Sequence, residues 1–186
     1  MRFIETLLIT DKIENLRYHN ERFNKTRKKF FNLPQDDLKN YVAVIPNKRV
    51  RVLYDDKIRK IEYFDLVQRE FKRFKTVFND DIEYSYKYEN RDKLNSLKPV
   101  GYDEIIIVKN GLVTDTTISN LAFLYKNEWL TPKTPLLKGT KRAELLDKKL
   151  IKETDIEAKD LKKFDKFAML NAIVGFYEIP ISAIED

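Results

Sequence analysis

Asn110-Gly111 sits between two apolar, β-branched runs, residues 105–108 and the stretch from Leu112 onward, and no other dipeptide in the chain restricts its path so tightly. A two-residue type I′ hairpin needs positive φ at both central positions, which Asn-Gly accepts with little strain. The two runs are therefore expected to pair. The second run soon reaches Asp115, whose short charged side chain suits a pleated, half-buried surface poorly. It needs a local reason, so residues 103–145 are where a functional site is sought first.

Upstream, residues 3–10 and 12–16 read as two strands joined at Asp11, and residues 18–31 as a helix. On that helix His19, Arg22, Phe23, Thr26 and Phe30 fall on one side by the i, i+3, i+4 rule. Arg22 thus flanks the apolar stripe, either snorkelling along the core edge or facing inward as an anion ligand. Residues 48–54 and 57–64 read as a hairpin across Asp55-Asp56, while residues 67–77 fit a helix or a strand. Asn79-Asp80-Asp81 is a turn signal, and it divides the chain into lobes 1–80 and 81–186.

In the second lobe, residues 83–91 read as a strand with tyrosines on one face and Lys87 on the other. Residues 92–97 turn helical, and 128–132 form a short strand. Residues 140–150 form a helix with Leu145, Leu146 and Leu150 inward, and 151–158 a strand. A buried strand over 166–172 ends near Asn171, whose side chain either caps a turn or serves as a ligand, and 175–180 turn the chain. Gly139-Thr140 opens onto a helix N-terminus, where unpaired amides and the helix dipole favour an anion. The pattern is α/β (α+β).

Composition narrows the function. With 42% hydrophobic residues in 186, a core can close. Thirty-six Lys and Arg against 30 Asp and Glu give a net charge of +6, but the two signs are interspersed, which argues for a solvated mixed-charge surface and against nucleic acid. There is no cysteine and a single histidine, so disulfides, thiolate chemistry and a His-rich metal site are excluded and no metal is expected. The first residues are unlike a signal peptide, and no run approaches the ~20 apolar residues of a membrane span, so a cytoplasmic protein is expected.

Taken together, these pieces resemble the class IV family of pyridoxal-phosphate enzymes, which holds branched-chain aminotransferases, D-amino-acid aminotransferases and 4-amino-4-deoxychorismate lyases. Phe3-Ile4-Glu5-Thr6 looks like the family's Phe-Glu-Thr strand. Leu16, His19, Arg22 and Phe23 look like its Leu-x-x-His-x-x-Arg-Leu helix, whose arginine grips the cofactor phosphate. Tyr86-Lys87-Tyr88-Glu89-Asn90-Arg91 resembles the lyase form of the Schiff-base segment, with the lysine ahead of an Asn-Arg pair. Gly111-Leu112-Val113-Thr114-Asp115 through Ser119-Asn120-Leu121-Ala122-Phe123 resembles Gly-x-Val-x-Glu followed by Asn and an aromatic-ended strand, with Asp115 in place of the usual Glu. Thr131-Pro132 and Gly139-Thr140-Lys141-Arg142 resemble the phosphate-cradling Thr-Pro and Gly-Ile-Thr-Arg pair. Asn171-Ala172 resembles the lyase branch.

The resemblance implies a two-lobed, D-amino-acid-aminotransferase-like fold with a small N-terminal lobe, a shortened segment over 48–77, and pyridoxal 5′-phosphate as cofactor. It implies Lys87 as the catalytic lysine and Arg22, Lys87, Asp115, Ser119, Asn120, Gly139, Thr140, Lys141, Asn171 and Ala172 as cofactor contacts. Asp115 would keep the pyridine nitrogen protonated so that the ring can accept electrons. The expected reaction converts 4-amino-4-deoxychorismate to 4-aminobenzoate and pyruvate: the substrate amine displaces Lys87, which then removes the ring proton. The alternatives are an aminotransferase acting on a branched-chain or D-amino acid, and a non-catalytic binding relative. Kinship also implies a homodimer and a small substrate carrying an amine and a carboxylate.

Overall fold

Inward residues at every second position of residues 3–9 and 50–54, apolar apart from Glu5, build the first sheet of the structure, a computed structural model that describes residues 1–185. Strands β1 (Phe3–Ile9), β2 (Lys48–Tyr54) and β3 (Ile58–Asp65) run antiparallel in that order, with Phe3 opposite Tyr54 and Ile9 opposite Lys48. Helix α1 (Leu16–Phe31) turns His19, Phe23, Thr26 and Arg27 into the interior. Phe3, Leu7, Ile9, Phe23, Val50, Val52 and Tyr54 form the core there. Each fully buried aliphatic or phenyl side chain contributes about 1.5–3 kcal/mol.

Two expectations are corrected in this unit. Residues 12–16 do not form a strand: they make one bridge, Ile13 to Ile9, and Asn15 takes a left-handed φ of 53° immediately before the helix begins. Residues 83–91 do not form a full strand either. Tyr86–Asn90 lies along β1 through a single bridge, Phe3 to Tyr88, with Ile4 N–H donating to Lys87 O at 2.9 Å and Glu89 N–H to Arg2 O at 3.0 Å. The aromatic face is present nonetheless. The Tyr86 ring centroid lies 4.8 Å from that of Phe30, and Tyr88 lies 5.3 Å from Phe3.

Those contacts make Tyr86–Asn90 part of the first compact unit, with Met1–Gln68; the second unit is Arg69–Ser85 with the chain from Arg91 onward. The turn at 79–81, used above to divide the chain at residue 80, thus falls within the second unit's first segment.

The second unit contains two sheets. One is β12 (Ile184–Glu185), β4 (Phe74–Phe78), β5 (Glu104–Lys109) and β6 (Leu112–Val113), parallel except for the β5–β6 hairpin. That hairpin turns at Asn110 (φ 51°) and Gly111 (φ 77°), as the dipeptide demanded. The other sheet runs β11 (Gly175–Pro180), β10 (Lys166–Asn171), β7 (Asn120–Tyr125), β8 (Glu128–Pro132) and β9 (Lys152–Thr154).

Period-two alternation sorts β7 and β10 between two cores. Leu121, Phe123, Phe167 and Met169 join Phe74, Ile106 and Val108 on one face. Ala122, Ala168 and Leu170 meet Leu145 of helix α3 (Thr140–Asp147) on the other. Residues 175–180, expected to be a turn, are a strand because each pairs with β10, from Asn171 opposite Gly175 to Lys166 opposite Pro180. Of the ambiguous residues 67–77 only 74–77 lie in a strand, β4, while 67–73 are neither helix nor strand, and residues 92–97 yield only a short helix, α2 (Asp92–Asn95). Leu150 lies beyond α3 and is 57% exposed, not inward. Among the described residues no helix is long and apolar enough to cross a membrane, and no group of three or more metal-binding side chains occurs.

Candidate active site

In the second unit the fold supplies the local reason that Asp115 required. The chain leaves β6 after Val113 and returns as β7 at Asn120, so Asp115 and Asn120 face each other in an isolated bridge. Asn120 Nδ2 donates to Asp115 Oδ1 at 2.6 Å and to Leu137 O at 2.7 Å. Leu137 N–H donates to Asp115 Oδ2 at 2.9 Å, and Gly139 N–H to Asn120 Oδ1 at 3.0 Å. One amide side chain therefore ties the carboxylate to the loop that opens helix α3.

Gly139 permits this approach. A Cβ on residue 139 would lie 2.0 Å from Asn120 Oδ1, well inside contact distance. Gly139→Ala is expected to force the Asn120 side chain out of its hydrogen bonds and to lower stability by about 1–3 kcal/mol, the usual range for overpacking; urea unfolding of the variant checks it.

Asp115 is 4% exposed. Burial pushes its carboxyl up to about 7, although the Leu137 N–H, the Asn120 amide and the charge of Arg142 all favour the ionised form. Between pH 4 and 7 the folded state therefore holds a proton that the unfolded chain has released, so this group lowers stability as pH rises through that window. For the cofactor-free protein the loss approaches about 4 kcal/mol, at 1.36 kcal/mol per pH unit. Asp115→Asn is expected to flatten the stability profile over that window in chemical denaturation at a series of pH values.

The loop from Asp115 to Asn120 is closely bonded. Thr116 N–H donates to Ser119 O at 2.9 Å, and Ser119 Oγ lies 3.1 Å from Thr116 Oγ1. Asn171, at the end of β10, accepts from the amides of Ile173 and Val174 at 2.8 and 2.9 Å and donates to Ile118 O at 3.3 Å. It caps a turn and also touches this loop. Ala172 follows it within that turn. Helix α3 opens with the first-turn amides of Thr140, Lys141 and Arg142, at the positive end of its dipole. The Lys141 ammonium pairs with Glu144 at 2.8 Å, and Thr140 is buried. Arg142 is buried as well, donating to Pro132 O at 2.9 Å and Glu153 at 2.6 Å.

In the first unit Arg22 does face inward, and the anion it holds is the chain's own. Its Nε donates to Glu5 Oε1 at 2.8 Å and its Nη2 to Glu5 Oε2 at 2.6 Å, a two-pronged grip. His19 Nδ1 lies 2.7 Å from Glu5 Oε2. Burial works against the Glu5 charge, but the charge and hydrogen bonds of Arg22, with those of His19, hold its carboxyl down at about 2. Burial lowers His19 below the usual imidazole range, and the charges of Arg22 and Lys87 act in the same direction. His19 is hence neutral near pH 7 and donates Nδ1–H to an ionised Glu5. Glu5 was not among the site residues expected from sequence, although its inward position between Phe3 and Leu7 on β1 was a legible signal. Leu137 left none, because its contribution is main-chain.

A buried carboxylate lacking a full cationic partner beside a helix N-terminus suits a protonated pyridine ring carrying a phosphate. The family model Amino-transferase class IV matches residues 93–184. An uncharacterized protein of Haemophilus influenzae is 36% identical over 182 residues, covering 92% of this chain and 97% of that protein. The crystal structure of a "putative 4-amino-4-deoxychorismate lyase" from Haemophilus somnus superposes with a TM-score of 0.87 at 35% identity, over 94% of this chain and 97% of that one. A hypothetical aminotransferase from Mycobacterium tuberculosis in its PLP-bound form shares the fold at 16% identity, with a TM-score of 0.78, over 96% of this chain and 80% of that one.

The chain belongs to the class IV pyridoxal-phosphate aminotransferase family. It is an enzyme of that family, and pyridoxal 5′-phosphate is its cofactor.

Proposed function

We propose that this enzyme moves a proton on a small substrate carrying an amine and a carboxylate, with Lys87 as the covalent attachment point and proton carrier. When bound, the cofactor supplies an electron sink for the bond being broken. Asp115 holds the ring-nitrogen proton, and the α3 amides receive the phosphate; Arg22, expected to share that task, holds Glu5 instead. Ser119 and Thr140 are proposed as further polar contacts and Lys141 as added positive charge, with Ala172 beside Asn171 at the turn. Asn120, Gly139 and Asn171 act by shaping the loops that present these groups. The observation that carries the reading is the buried Asp115, tied through Asn120 to the loop opening α3, an arrangement suited to holding one cationic ring with an anionic substituent.

Transamination of an amino acid is the reaction we place first. The matched family model is that of the class IV aminotransferases, and it spans Asp115, Asn120, Gly139 and Asn171. The lyase reaction yielding 4-aminobenzoate and pyruvate is the second reading, supported by the description of the 35% identical Haemophilus somnus protein and by the Asn90-Arg91 pair after Lys87. Substrate dependence separates the two. Turnover that requires a keto-acid acceptor supports transamination, whereas pyruvate released from 4-amino-4-deoxychorismate with no acceptor supports the lyase. A homodimer is the proposed assembly, to be checked by light scattering.

A further inference from the structure

Glu104 opens strand β5 and is buried at 1% exposure, yet what its carboxylate grips is neutral. Thr117 Oγ1 lies 2.7 Å from both of its oxygens, and Ile118 N–H donates to Oε2 at 3.1 Å. Burial raises the Glu104 carboxyl above its ordinary range, with the Thr117 hydroxyl opposing that shift. A carboxylate kept out of water at this cost, and spent on one loop, points to a demand on the position of that loop.

The loop is gripped on consecutive peptide groups by side chains from separate elements. Arg91 Nη2 donates to Thr117 O, Glu104 accepts from Ile118 N–H, and Asn171 Nδ2 donates to Ile118 O. Arg91 Nε is buried and has no hydrogen-bond partner among the described residues, so this arginine is committed there at some expense. The loop so held joins Asp115 to Asn120, whose side chain reaches Leu137 and Gly139. A small shift of the loop would lengthen all of the Asn120 bonds together.

We propose that Glu104 is a positioning residue: by gripping Thr117 Oγ1 and Ile118 N–H it sets the distance from Asp115 to the loop before α3, and so the fit of the cofactor's ring nitrogen and phosphate to one another's partners. The inference rests on the pyridoxal-phosphate reading of that site.

The test compares wild type with Glu104→Ala, Glu104→Gln and Thr117→Val, using amide hydrogen exchange at Leu137 and Gly139 in the cofactor-free protein and equilibrium binding of pyridoxal 5′-phosphate. Glu104→Ala is expected to speed exchange at both amides and to weaken binding, each by about tenfold or more, as loss of the hydrogen bonds to Thr117 and Ile118 implies. Glu104→Gln is isosteric, and its amide can accept from Ile118 N–H while donating to Thr117 Oγ1. It should stay within about threefold of wild type, since the grip and not the charge is what matters. Unchanged exchange and binding in Glu104→Ala would overturn the proposal, as would a Glu104→Gln as impaired as the alanine variant. If Glu104→Ala does not fold, Thr117→Val, which removes a single hydroxyl, decides on the same two readouts. Failure of wild type to bind the cofactor would instead overturn the pyridoxal-phosphate reading, leaving the exchange measurement to judge Glu104.

Discussion

Lys87→Ala abolishes the visible absorption band that the wild-type protein is expected to retain after incubation with pyridoxal 5′-phosphate and dialysis, and lowers turnover by about a thousandfold or more. Two separate duties fall on this side chain. In the function proposed, its amine would hold the cofactor aldehyde and, once displaced by the substrate amine, would carry the proton. Alanine removes both at once. A band retained in Lys87→Ala would move the attachment to another lysine. Absence of a band in the wild type would sink the function proposed for it.

The largest effect on stability is expected at Glu5. Glu5→Ala leaves the Arg22 guanidinium and the His19 imidazole without the carboxylate that both contact, in a site where Glu5 and His19 are fully buried. Removing one member of a buried ion pair costs about 3–5 kcal/mol. The replacement also opens a cavity between β1 and α1. Urea unfolding measures the loss, and a change below about 1 kcal/mol would mean that Arg22 finds other partners or water.

The pH dependence carries its own sign. The folded carboxyl of Glu5, at about 2, lies below its ordinary value of 4.5. The stability it contributes is therefore full above pH 4.5 and is lost as pH falls through 4.5 toward 2. That window lies below the one assigned to Asp115, where stability falls as pH rises from 4 to 7. Single variants at the two positions should separate the two effects.

Local chemistry was a good guide wherever one residue's conformation or one element's periodicity decided the outcome. The Asn110-Gly111 turn, the apolar face of α1, the β2–β3 hairpin and the alternation in β10 follow from φ preferences and from side chains that point to opposite faces of a strand or share one face of a helix. For Arg22 the same periodicity gave only a place at the edge of the apolar stripe, open to snorkelling or to an inward anion. Its partner Glu5 lies 17 residues away on another element, and nothing local distinguishes that carboxylate from a phosphate as the anion it holds. Residues 12–16 and 175–180 were misread because short apolar runs carry no record of whether a neighbour pairs with them: the first found a single bridge, the second a whole strand.

The sequence by itself determined the hairpin, the helix faces, the family motifs and the residue types that pyridoxal chemistry needs, since these depend on neighbours a few positions apart. Tertiary structure alone decided how those residues are held. Asn120 spans from Asp115 to Leu137 and Gly139, and Glu104 secures the loop from 13 and 14 residues away. Such bonds exist only after distant segments have been brought together, because a hydrogen bond is set by distances of a few tenths of an ångström that separation along the chain does not encode.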